Sequence, residues 1–153
     1  MAKAFENIKV VDFSQVLAGP FATQQLALQG AEIIKVEQRG AGDQSRGMMV
    51  PDGPLRDHGM GPIFLSVNAG KRSMTLDLKH PGATEIVRRL VADADVFIQN
   101  FRVGAIDRLG FGYESIRAIN PSIVYCSISG YGQEGPRAKA AAYDGAIQAA
   151  SGM

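Results

Sequence analysis

An amphipathic helix followed at once by an apolar strand is the feature that most restricts this chain's fold. In HPGATEIVRRLVADADVFIQN (80–100), Ala83, Ile86, Val87, Leu90 and Val91 recur at helical spacing, with Glu85, Arg88 and Arg89 opposite. Val96, Phe97 and Ile98 then form a continuous apolar run, the mark of a strand covered on both faces. The same alternation runs through the chain. IKVVDF (8–13), AEIIKVE (31–37), RSMTLDL (72–78), DVFIQN (95–100) and SIVYCSIS (122–129) read as strands. Between the first two, Pro20 marks a helix start and Gly30 a helix stop. YESIRAIN is a short helix closed by Pro121, and YDGAIQAASGM opens another that nothing closes. Residues 38–68, rich in Gly, Pro and Met, read as a long excursion over a surface. Strands alternating with helices predict an α/β domain with a largely parallel sheet.

The 153 residues are enough for one domain with a real core, and the formal charge of +1 points to neither a nucleic-acid nor an acidic-membrane partner. A single cysteine, Cys126, excludes an internal disulfide framework; set in a strand, it reads as a buried, inert thiol. The N-terminus lacks an apolar signal core, and the longest uncharged run (13–31) is too polar to span a bilayer, so a cytoplasmic protein is expected.

In an open parallel sheet, ligands bind beyond the carboxyl ends of the strands. There the run VFIQNFRVGAIDRLG (96–110) gathers an amide, Asn100, a ring, Phe101, and two guanidiniums, Arg102 and Arg108. Further basic residues stand at other element ends: Arg39 and Arg46, then Lys71, Arg72 and Lys79. Any one cluster can be a solvated face. Together they suit an anionic ligand with a flat ring, because arginine forks pair with phosphate and aromatic rings stack on bases. A dinucleotide is the first such ligand to weigh, with Glu37 placed where a ribose-binding acid would sit. But the first turn, SQVLAGP, has one glycine in place of G-x-G-x-x-G, and the later GYGQEG (130–135) is a lone match followed by Pro136. No P-loop and no G-x-S-x-G elbow is present. His58 and His80 have no companion at metal-ligand spacing and read as loop or cap residues, so no metal is expected. For the basic clusters and the ring, a nucleotide tail with extra phosphates fits better than a bare sugar.

VVDFSQVLAGPFATQQLALQGAEIIKVEQRGAGDQSRG, NAGKRSMTLDLKHPGA, DVFIQNFRVGAIDRLGFGYESIRAINPSIVYCSISGYGQEGP and AAYDGAIQAASG, taken in series, resemble the opening portion of the class III coenzyme A transferases. That family includes formyl-CoA:oxalate and carnitine CoA transferases, and its relatives include α-methylacyl-CoA racemase. The resemblance implies a Rossmann-like large domain, a smaller second domain and an interlocked homodimer, with residues 1–153 forming the N-terminal part of the CoA-binding large domain. It carries family CoA contacts onto Ala18, Leu76, Lys79, Asn100, Phe101 and Arg108, while Arg102 joins them by position and charge. Gln38 replaces a family arginine that contacts CoA, and Arg39 stands beside it.

The implied activity is acyl-CoA:carboxylate CoA transfer through an aspartyl-CoA thioester. The nucleophilic Asp is expected beyond Met153, so this stretch alone would be inactive. Gln15, Tyr143 and Asp144 map to active-site neighbours. Gln15 and Leu17 depart from the formyl-CoA transferase pattern, which puts formyl-CoA and oxalate in doubt as substrates. Tyr143 replaces the racemase histidine, and a phenol of pKa near 10 is a poor acid/base for 1,1-proton transfer. A racemase-type enzyme and a non-catalytic CoA-binding module are the alternatives.

Overall fold

The computed structural model describes residues 2–50 and 52–153. Five parallel strands, β1 (Lys9–Asp12), β2 (Glu32–Gln38), β3 (Arg72–Leu76), β4 (Val96–Gln99) and β5 (Val124–Ser127), form one sheet in the order β3-β2-β1-β4-β5. This is the Rossmann-like α/β arrangement, and its topological switch point lies between β1 and β4. The register sets Val11 beside Ile34 and Phe97, and Asp12 beside Lys35 and Ile98.

Strand alternation sorts the side chains onto two faces. On one face Val11, Phe13, Val36 and Phe97 meet Ala83, Val87 and Val91 of α4 (Pro81–Ala92), Ile106 of α5 (Ala105–Arg108) and Ile116 of α6 (Tyr113–Ile119). The Phe97 ring lies 4.8 Å from Phe13 and 5.1 Å from Tyr125, stacked on the latter. On the other face Val10, Ile33 and Ile98 pack against Ala22, Leu26 and Ala27 of α1 (Ala18–Leu28). Ile86, expected on the buried stripe of α4, is instead 39% exposed: the stripe that reaches the core is the narrower Ala83–Val87–Val91 line. His80 caps α4, its Nδ1 accepting from the Gly82 N–H at 3.1 Å. α1 begins at Ala18, two residues before Pro20.

Residues 38–68 are not a simple surface excursion. Among the described residues they hold a 3₁₀ turn (Gln44–Gly47), α2 (Pro54–Asp57) and α3 (Pro62–Asn68), and α3 packs on α1 and on the 3₁₀ turn. Asp43, Ser45, Phe64 and Val67 are buried there. The segment folds back because charges on the α1 face of the sheet need partners. Asp12 at the end of β1, with Lys35 in the middle and Glu37 near the end of β2, are all buried.

Asp12 accepts from the Ser14 N–H at 2.9 Å, from Thr23 Oγ1 at 2.6 Å, from Ser14 Oγ, and from Lys71 Nζ at 3.2 Å. Lys71 Nζ also donates to Pro20 O and to Asn68 Oδ1 of α3. Burial draws the Lys71 pKa down to about 8 although Asp12 works against that shift. Glu37 accepts from Arg46 at 2.6 and 2.8 Å, from Ser73 Oγ and from the Asp43 N–H. Burial alone would raise the Glu37 pKa, but these donors outweigh it and hold it at about 2.

Two stability predictions follow from this arrangement. Glu37 titrates near 4.5 when unfolded and near 2 when folded, so its contribution is complete above pH 4.5 and vanishes as pH falls toward 2. Stability should drop by about 3 kcal/mol across that window, and Glu37→Gln should remove that part of the acid sensitivity in urea unfolding followed against pH. Lys71→Met leaves Asp12 buried without its cation and should cost about 3–5 kcal/mol in the same assay.

Candidate functional site

The loop after β1 runs from Phe13 to Leu17 and meets the end of β4 at the switch point. The Gln15 N–H donates to Asn100 Oδ1 at 2.8 Å, and Asn100 Nδ2 donates to Gln15 O at 2.8 Å. One amide thus grips the peptide groups on both sides of Gln15. Val16 follows with φ +69°, a left-handed conformation that strains a β-branched residue. Its N–H donates to Asp43 Oδ1 at 3.1 Å. Leu17 and Ala18, both exposed, open α1, whose N-terminus has no side-chain cap. α1 approaches the loop so closely that a Cβ on Gly19 would lie 2.2 Å from Ser14 Cβ, which fixes glycine there.

Beyond β4, the Gln99 side chain is buried, donating to Ser127 Oγ and accepting from the Phe101 N–H, both at 2.8 Å. Phe101 is half-buried against the α4-side core, leaving part of its ring open. Gly104, at φ +77°, turns the chain into α5, and Arg108 is exposed on that helix with Arg102 exposed before it. Arg39 follows β2 and Lys79 follows β3, both exposed. The sequence-derived binding residues therefore reach one edge of the sheet: Ala18 after β1, Arg39 after β2, Leu76 and Lys79 at β3, and Asn100, Phe101, Arg102 and Arg108 after β4. Four parallel strands about 4.8 Å apart place these groups along a band roughly 14 Å wide, suited to a long ligand.

The structure refines several assignments. Leu76 is buried in the core, so only its backbone faces the edge. Asn100 is engaged by Gln15, which leaves one N–H and one lone pair for a ligand. Three of the clustered basic residues are paired internally: Arg46 with Glu37, Lys71 with Asp12, and Arg72 with Glu32. Glu37, engaged in the same way, is not free to bind a ribose. His58 ends α2. Cys126 is half-buried, and burial raises its pKa, which disfavours the thiolate.

Tyr143 and Asp144 open α7 (Asp144–Ser151); Tyr143 is 67% exposed and Asp144 accepts from Gln148 Nε2 at 2.7 Å. The residues beside them pack under the glycine-rich loop: a Cβ on Gly130 would lie 2.1 Å from Ala142 and 2.9 Å from Ile147. Among the described residues no group of three or more His, Cys, Asp or Glu is arranged to hold a metal.

An open hollow of about 480 Å³ at the ends of β2 and β3 is lined by Arg46, Arg56, His58, Thr75 and several glycines. A smaller hollow of about 150 Å³ lies at the opposite, amino edge, between Lys9, Glu32 and Asp93. There Lys9 pairs with Asp93.

What the sequence reading missed is the buried polar layer beneath this edge: Asp12, Ser14, Thr23, Lys35 and Asp43. The signal was present, since Asp12 in VVDF and Lys35 in IIKVE are charges inside otherwise apolar strands.

The chain is 45% identical over 151 residues to mouse succinyl-CoA:glutarate CoA-transferase, covering 99% of this chain and 34% of that protein. It is 41% identical over 152 residues to a formyl-CoA:oxalate CoA-transferase of Afipia carboxidovorans, covering 99% of this chain and 35% of that protein. The crystal structure of a CAIB/BAIF family protein from Brucella suis superposes with a TM-score of 0.90 at 43% identity, over 99% of this chain and 40% of that one. The chain thus spans about a third of the length of the curated relatives it matches. The model of CoA-transferase family III matches residues 5–153, and the chain belongs to that family.

Proposed function

We propose that this chain is the N-terminal part of the CoA-binding domain of an acyl-CoA:carboxylate CoA-transferase. The observation that carries the reading is the placement of exposed Arg39, Lys79, Arg102 and Arg108, with half-buried Phe101, in the segments that follow β2, β3 and β4. Family membership supports CoA as the ligand of that edge. In this reading the guanidiniums and Lys79 pair with the CoA phosphates, Phe101 offers a face to the adenine, and the Gln15–Ala18 turn lies alongside the pantetheine arm.

The chemistry in this reading is nucleophilic. An Asp carboxylate beyond Met153 attacks the acyl-CoA thioester carbonyl, the C–S bond breaks, and a mixed anhydride and CoA thiolate result. The thiolate attacks the aspartyl carbonyl of the anhydride, releasing the acyl carboxylate and leaving an aspartyl-CoA thioester. An acceptor carboxylate takes the CoA by the reverse steps. Gln15, Tyr143 and Asp144 border the reacting groups. Tyr143, where the racemase pattern has histidine, favours transfer over proton exchange at C2. The whole protein works as an interlocked homodimer in the cytoplasm. No helix among the described residues is long and apolar enough to cross a membrane.

Two measurements on the full-length protein test this reading. Arg108→Ala should weaken CoA binding by about 1.5–3 kcal/mol in titration calorimetry; unchanged affinity would remove Arg108 from the site. After mixing with an acyl-CoA, trapping with hydroxylamine and mass spectrometry should place the modified carboxyl on an Asp beyond Met153. A modified Asp144, or CoA transfer by residues 1–153 alone, would refute the placement of the nucleophile.

A further inference from the structure

Two successive peptide groups of the loop after β1, 14–15 and 15–16, are held by side chains from three separate parts of the chain. Lys35 Nζ of β2 donates to Ser14 O at 2.7 Å. Asn100, after β4, grips Gln15 on both sides. Asp43, at the head of the 3₁₀ turn, accepts the Val16 N–H. Asp43 is itself fixed: its Oδ1 also accepts from the Ser45 N–H at 2.8 Å and Ser45 Oγ at 2.7 Å. Its Oδ2 stands 2.8 Å from Lys35 Nζ in a fully buried ion pair. That contact lacks hydrogen-bond alignment, so Oδ2 is the one buried side-chain polar atom among the described residues without a hydrogen bond. We take it as a Coulombic contact, because the separation is short and both groups are excluded from water.

The residue gripped at this point, Val16, is also the one in a strained conformation, at φ +69°. A β-branched side chain reverts to an extended backbone unless its surroundings prevent it. The only described side chain that hydrogen-bonds the Val16 N–H is the Asp43 carboxylate, 27 residues away in sequence.

We propose that Asp43 is a positioning residue for the acyl-CoA site, and that the Lys35–Asp43 pair holds Val16 left-handed so that Gln15, Leu17 and Ala18 are presented to the ligand. This rests on the CoA-binding reading above. Asp43 is fully buried and acts only through the loop. If the carboxylate is lost, Val16 relaxes and the turn rotates its peptide groups away from the edge. Glycine at position 16 would adopt the left-handed φ without strain and so need no clamp to reach it.

The test uses CoA calorimetry and steady-state kinetics on the full-length protein, with folding checked by circular dichroism and melting. Asp43→Ala should weaken CoA binding and raise the acyl-CoA KM by about tenfold or more, with a smaller change in kcat. Adding Val16→Gly to that variant should restore most of the affinity, a rescue that a purely stabilising role for Asp43 does not provide. Lys35→Met with Asp43→Leu replaces the buried pair without stranding a charge, and should fold yet show the same KM increase, which covers the case in which Asp43→Ala unfolds. Wild-type CoA affinity in a folded Asp43 variant, or failure of Val16→Gly to rescue, overturns the proposal while leaving the CoA reading intact. A wild-type protein that does not bind CoA overturns both.

Discussion

Asp12 is the constraint on which the carboxyl edge depends. It ends the central strand with no exposure, and a bare carboxylate there would be prohibitively costly. It is tolerated because Lys71, Thr23 and Ser14 converge on it from three parts of the chain. Lys71 in turn binds Pro20 O of α1 and Asn68 of α3, so one ammonium ties the strand, the first helix and the returning segment together. Lys35–Asp43 and Glu37–Arg46 extend the same layer across β2. Such pairs add little net stability over an apolar core, but breaking one is severe. Here they link β1 and β2 to α1 and to the 38–68 segment.

That layer explains why the edge can hold exposed cations in defined places. The internal charges are satisfied among themselves, so Arg39, Lys79, Arg102 and Arg108 are left outside the network, facing solvent at strand ends. The loop between them cannot drift, since Asn100 and Asp43 hold its peptide groups directly. A ligand meeting such a surface finds its partners already oriented, which lowers the entropy lost on binding.

Much of the fold was legible in the residues. Val11, Phe97 and Ile98 lie in apolar runs bounded by turn residues, and the α4 stripe has helical period, so the parallel sheet and its helices follow from pattern alone. The segment 38–68 was not legible, because its order comes from partners outside it: Asp43 with Lys35 and, 27 residues away, Val16, and Asn68 with Lys71. Short helices such as α2 and α3 have weak local signals and depend on tertiary contacts. For the same reason the basic residues could be grouped but not sorted. Arg46 and Arg39 look alike in sequence; only the position of Glu37 makes one structural and leaves the other open.

The central claim is that CoA lies along the carboxyl edge, over the β1–β4 switch point, on a loop held by buried charge. A crystal structure of the full-length protein with CoA tests it most directly. The account predicts nucleotide density beside Phe101, phosphates within hydrogen-bond range of two or more of Arg39, Lys79, Arg102 and Arg108, and the Gln15–Ala18 turn against the pantetheine arm with Val16 still left-handed. CoA at the amino edge, beside Lys9 and Glu32, or a turn that reorganises freely around the ligand, would contradict it.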